Sequence, residues 1–108
     1  MEIIEVPAGY YMTGKAPDIM ESGGIGSCIV VAAIQRNRGY MAHIEANPHM
    51  SKLMRYFLDD VKKKARVYVA GGLIEPFFDE ALRTYILGAR EGTLQRLRDA
   101  GLQIGKVE

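Results

Sequence analysis

Ser22-Gly23-Gly24-Ile25-Gly26-Ser27-Cys28 runs directly into Ile29-Val30-Val31-Ala32-Ala33-Ile34, and this stretch decides how the chain is read. Glycines at 23, 24 and 26 give a backbone that bends sharply and lets a ligand approach without Cβ clashes. The only cysteine of the protein follows at once. The next six residues are apolar on both strand faces, the pattern of a strand covered on both sides. Gln35-Arg36-Asn37-Arg38-Gly39 then offers a hairpin turn with Asn and Gly available for positive φ, and Tyr40 to Glu45 forms the returning strand. A four-residue turn at 35–38 pairs Ile34 with Gly39. It sets Val30 opposite His43 and Cys28 opposite Glu45, with Cys28 and His43 on one face at a diagonal spacing of roughly 7–8 Å.

Working outward, Glu2-Ile3-Ile4-Glu5-Val6 reads as a strand ended by Pro7 and Gly9. Tyr10-Tyr11-Met12 reads as a second extended piece, Thr13 to Asp18 as a turn, and Ile19-Met20 as the lead into the glycine loop. Asn47-Pro48 predicts a helix start, with Asn as cap and Pro in the first turn. Leu53, Met54, Phe57, Leu58 and Val61 recur at three and four, the spacing of an amphipathic helix. Arg66 to Ala70 reads as a strand closed by Gly71-Gly72. Pro76 to Leu87 is ambiguous between a helical face and an irregular excursion. Residues 89–100 read as a helix ended by Gly101, and Leu102-Gln103-Ile104 as a last short strand. Hairpins mixed with helices predict an α+β layered domain.

At 108 residues the chain is one domain, large enough for a single core without disulfides or metals. A net charge of +1 with both signs interspersed gives no footprint for nucleic acid. Lys62-Lys63-Lys64 reads as the solvated end of a helix. A single cysteine suits a reducing cytoplasm. Met1 to Glu5 is acidic and short, unlike a signal peptide, and no apolar run has membrane-spanning length. One Cys and two His at these spacings make no structural zinc set, and the glycine loop lacks the Gly-Lys-Ser/Thr ending of a phosphate cradle. No metal or cofactor is expected.

The chemistry that remains is a thiol with an imidazole on the neighbouring strand. An imidazole or local dipole raises the thiolate fraction of a cysteine. Glycine-loop N–H groups, that of Cys28 among them, can face a developing oxyanion. The bland reading stands beside it: cysteine is among the most buried residue types, and a lone one on an apolar strand is usually packing. His49 is the other imidazole available as a base and reads as solvent-facing.

Gly24-Ile25-Gly26-Ser27-Cys28 before a β-branched strand, then Gly39-Tyr40-Met41-Ala42-His43, resembles the CheD family of chemoreceptor glutamine deamidases. Tyr11, Lys15 and Pro17, the pair Gly71-Gly72, and Ile86-Leu87-Gly88-Ala89-Arg90 with Asp99-Ala100-Gly101-Leu102 extend the resemblance over nearly all of residues 1–108. It implies an α/β/β/α sandwich with mostly antiparallel strands and a Cys-His-Thr site in a prokaryotic, cytoplasmic signalling protein. Carried over by position, Cys28 is the nucleophile and His43 the general base. Ser22 stands where the family has threonine, keeping the hydroxyl but losing the methyl that restrains its rotamer. Gly26 and Ser27 supply oxyanion-facing backbone.

The implied activity is deamidation of protein glutamine to glutamate through a thioester, with glutamate methyl ester hydrolysis by the same route. The implied partner is a chemoreceptor or other signalling protein. Three departures stand out. Pro48 lies five residues after the histidine instead of four. Glu45 replaces an apolar residue, either as a solvated strand-end acid or as a carboxylate that raises the imidazole pKa. The chain also lacks the family's C-terminal extension, which bears on receptor recognition and on docking to the phosphatase CheC. The rival reading is a non-catalytic CheD-like binding module for a signalling protein. A third is a cysteine hydrolase of small amides or esters.

Overall fold

The computed structural model describes residues 1–45 and 51–108. The expected helix start at Asn47-Pro48, and His49, lie outside the described residues. Within them the chain forms β1 (Ile3–Glu5), β2 (Tyr10–Lys15), β3 (Ile19–Glu21), β4 (Ile29–Gln35), β5 (Arg38–Ile44), α1 (Ser51–Asp60), β6 (Arg66–Gly71), α2 (Glu80–Asp99) and β7 (Gln103–Val107). This is an α+β fold. Strands β2-β5-β4-β6-β7 make one sheet, antiparallel except for the parallel pair β6–β7, and β1 and β3 pair in parallel as a separate short sheet.

The β4–β5 hairpin has the register read from its turn: Ile34 pairs with Gly39, and Val30 with His43. Arg36 takes the positive φ (56°) at the turn, where asparagine and glycine stood as candidates. Strand alternation then sorts the side chains. Ile29, Val31, Ala33, Ala42, Ile44, Val67 and Val69 face the helices and join Leu53, Met54, Phe57, Leu94 and Leu97 in one buried cluster. The opposite face carries Val30, Ala32, Ile34, Met41, His43 and Tyr68.

Over part of that second face lies the β1–β3 sheet. A Cβ on Gly14 would stand 3.0 Å from the Ile4 Cδ1 and 3.2 Å from the Met20 Cγ, and one on Gly39 3.1 Å from the Met20 Sδ. The facing glycines of β2 and β5 thus make room for the short sheet to press onto the long one. Its cover ends there. Ile29, Val30 and Val31 are buried, but Ile34 is 70% exposed, so the double cover expected of this strand holds only for its first half.

Three sequence expectations are corrected. β2 continues through Lys15, so the turn expected from Thr13 begins later, because Tyr10 to Lys15 pair one by one with β5. Ile19 and Met20 are strand residues, since β1 offers them a parallel partner. The helix expected from residue 89 begins at Glu80. Asp79 caps it, accepting the Leu82 N–H at 2.8 Å, and Gly88 lies inside it. Of the two readings left open for Pro76 to Leu87, the helical one holds from Glu80, but Ala81, Leu82 and Tyr85 are exposed and Ile86 is the buried residue of that half. Gly101, at φ +80°, ends the helix as read.

Candidate functional site

β1 and β3 end beside the same row of the large sheet, and the residue just past each of them, Val6 and Ser22, meets His43. The Ser22 Oγ lies 2.7 Å from the His43 Nδ1 and 2.6 Å from the Val6 carbonyl oxygen. The same carbonyl is 3.3 Å from the Nδ1. A carbonyl only accepts, and a hydroxyl has one proton to give. Ser22 therefore donates to Val6, and the Nδ1–H of His43 donates to Ser22. This arrangement satisfies all three groups and leaves the lone pair on the Nε2.

His43 is 1% exposed, and its Nε2 has no hydrogen-bond partner among the described residues. A buried polar atom without a partner costs roughly 1–3 kcal/mol. Such atoms are rare enough in folded proteins that each asks for a reason.

Cys28 sits one residue before β4 and two before Val30, the partner of His43. Alternation carried back one residue sets it on the His43 face. Its backbone is held from both directions. The Cys28 N–H donates to the Ile25 carbonyl at 2.7 Å, and its carbonyl accepts the Gly72 N–H at 2.9 Å. The side chain is half-buried. Burial first, and the Glu45 carboxylate second, push the thiol pKa up from its ordinary value. The shift is opposite in direction to the one expected of a cysteine beside an imidazole.

The structure thus brings Ser22 and His43 into contact and sets Cys28 at the head of the adjoining strand. It forms no hydrogen bond between the thiol and the Nε2. The Cys28 N–H, expected to face an oxyanion, is already committed to the Ile25 carbonyl, because residues 25–28 close a tight turn. The N–H groups of Gly26 and Ser27 donate to no described residue and remain the donors this loop can offer. Gly24 (φ +60°) and Gly26 (φ +47°) hold the left-handed backbone that shapes the loop.

Two contributors were not legible in the sequence. Val6 acts through its carbonyl, which no side-chain pattern reports. Gly71 is the other: a Cβ there would fall 2.0 Å from the Cys28 carbonyl oxygen and 2.5 Å from the Ile25 Cγ2. Its signal was the glycine pair itself, read as a strand-end turn. From the same turn the Leu73 N–H donates to the Gly26 carbonyl at 3.0 Å, tying the 72–79 loop to the glycine loop. That loop presents exposed Leu73 and Phe77, the latter edge-on to Phe78 at 5.0 Å.

No cluster of metal-ligating side chains occurs among the described residues, and no helix among them is long and apolar enough to cross a membrane. No protein-family model matches the chain, and no curated protein matches it significantly.

Proposed function

We propose that the protein is a CheD-like cysteine amidohydrolase that converts a protein glutamine to glutamate. The observation that carries this reading is the Val6–Ser22–His43 relay, which leaves a buried Nε2 lone pair, without a partner among the described residues, on the strand paired with the one that Cys28 precedes. With it goes the α/β/β/α layering of the CheD resemblance, in which the helices, the long sheet and β1–β3 would be three of the four layers.

In the proposed reaction the Nε2 takes the Cys28 proton as the sulfur attacks the γ-carboxamide carbon. The oxyanion is met by the N–H groups of Gly26 and Ser27, which donate to no described residue. Collapse breaks the carbon–nitrogen bond, and the imidazolium gives its proton to the departing ammonia. Water then attacks the thioester and yields its proton to His43. The released thiolate recovers that proton, leaving glutamate. A glutamate methyl ester would follow the same path with methanol as leaving group. The apolar tip at Leu73 and Phe77 supports a macromolecular substrate, a chemoreceptor or another signalling protein.

The Cys28→Ala variant tests this directly on a glutamine-bearing receptor fragment. The wild type should add about one dalton per turnover and the variant none; a variant that still deamidates would remove Cys28 from the mechanism. The absence of a thiol–imidazole bond in the resting structure favours a second reading, a CheD-like module that binds a signalling partner without chemistry. Partner binding by a wild type that produces no mass shift would select it.

A further inference from the structure

Among the described residues nothing covers the second face of the large sheet over the end of β4 and over β6 and β7. Ala32, Ile34, Tyr68 and Ala70 form its floor by register. A hollow of about 370 Å³ beside Ile34 and Met41, and one of about 160 Å³ beside Tyr68, share Ala32 in their walls. An antiparallel sheet can have one face in water, but its strands then alternate apolar with polar. β4 does not alternate: Ile29 to Ile34 are all apolar. The strand is built for a cover that the described residues supply only at one end.

Basic residues border the trough. Arg36 stands at the hairpin turn. Arg66 lies over Gly105 beside Tyr68, since a Cβ on Gly105 would meet the Arg66 Cγ at 2.8 Å and the Tyr68 Cε1 at 3.4 Å. Lys106, already bridged to Glu108 at 2.7 Å, sits opposite Tyr68. On the same side of the molecule the β1–β3 sheet stands up as a wedge. Its outer surface is Ile3 and Ile19, both exposed, flanked by Glu2, Glu5, Asp18 and Glu21. Asp18 also accepts the Glu2 N–H at 2.9 Å.

An acidic wedge with an apolar crest thus stands beside an apolar trough with a basic rim. We propose that this face pairs with a second copy of the chain about a two-fold axis running along the strands, the wedge of each copy seated in the trough of the other. Such an axis exchanges the two halves of the face and keeps the ends of the strands together. Every wedge acid then meets the basic rim, as a self-complementary interface requires. From Ala32 to Gln35 the open trough is about 13 Å long and, across three strands, about 14 Å wide at standard strand dimensions. Exchanged twice, the contact covers on the order of 400 Å² per copy, the size of a small interface whose association the opposite charges strengthen. The proposal does not depend on the catalytic reading.

Sedimentation velocity over a dilution series reaching about 100 µM tests it on the full chain. The wild type should sediment as a dimer. Ile34→Glu should weaken association about a hundredfold with an unchanged circular dichroism spectrum, and Ile34→Ser replaces it should the glutamate variant not fold. Glu5→Lys/Glu21→Lys and Arg36→Glu/Arg66→Glu should each be monomeric alone. Mixed in equal amounts they should form a heterodimer, because each wedge then again meets a trough of opposite sign. A wild type that stays monomeric, assemblies larger than a dimer, a dimer indifferent to Ile34, or variants that remain apart when mixed would each overturn the pairing.

Discussion

Cys28 and Glu45 show how one residue sets the state of another. The carboxylate stands where the thiol would have to become negative, so it works with burial to hold the proton on sulfur. Replacing Glu45 with Gln removes the second of these causes and leaves the first. The thiol pKa should fall toward its ordinary value. Iodoacetamide should then label Cys28 several-fold faster than in the wild type near neutral pH, a difference that closes once both thiols are ionised at high pH. Equal rates would mean that the carboxylate does not act on the sulfur. The pairing of Ser22 with His43 was expected only through the CheD resemblance, which carries the family's hydroxyl residue over to position 22. That the Val6 carbonyl orders the protons between them was not, because backbone oxygens look alike in every sequence.

Among the elements, β6 and α2 use glycine for opposite reasons. At Gly71 the backbone is left-handed (φ +98°), and the Cys28 carbonyl occupies the space where a side chain would begin. Gly71→Ala should cost roughly 2–4 kcal/mol through strain and overlap, read as a lower urea midpoint, and should displace Cys28 with it. At Gly88 a Cβ would meet nothing within 4 Å, so alanine there should add about 1 kcal/mol of helix propensity. The two substitutions are chemically identical. Sequence reading treated 71–72 as a simple turn and 88 as a boundary because it cannot see what lies across the space beside a glycine.

For the whole molecule the alkaline side is where titration and folding meet. The Cys28 pKa is raised in the folded state, as is that of Tyr11, whose burial comes first and whose hydroxyl donates to the Asp60 Oδ2 at 2.6 Å. A group with a raised folded pKa lends stability that is complete below its unfolded pKa and is lost as the pH climbs toward the folded one. The thermal midpoint should therefore fall from about pH 8.5 upward, and more steeply from about pH 10. Cys28→Ala should remove the first part of that decline and Tyr11→Phe the second. A midpoint flat across this range would contradict both shifts. The Tyr11–Asp60 bond ties β2 to the end of α1, a link between residues 49 positions apart that no local pattern announces.

Much of the architecture was written in the chain's periodicities. The all-apolar run of β4, the turn at 35–38 and the three-four spacing of α1 follow from local sterics and from which faces must leave water. These forces act within a few residues, and so they can be read a few residues at a time. What only the tertiary structure decided is the meeting of segments: Val6 and Ser22 over His43, Gly71 against Cys28, and a sheet face covered at one end and open at the other. Those arrangements rest on distances between residues far apart in the chain, where the packing of the whole, and no single stretch, fixes the geometry.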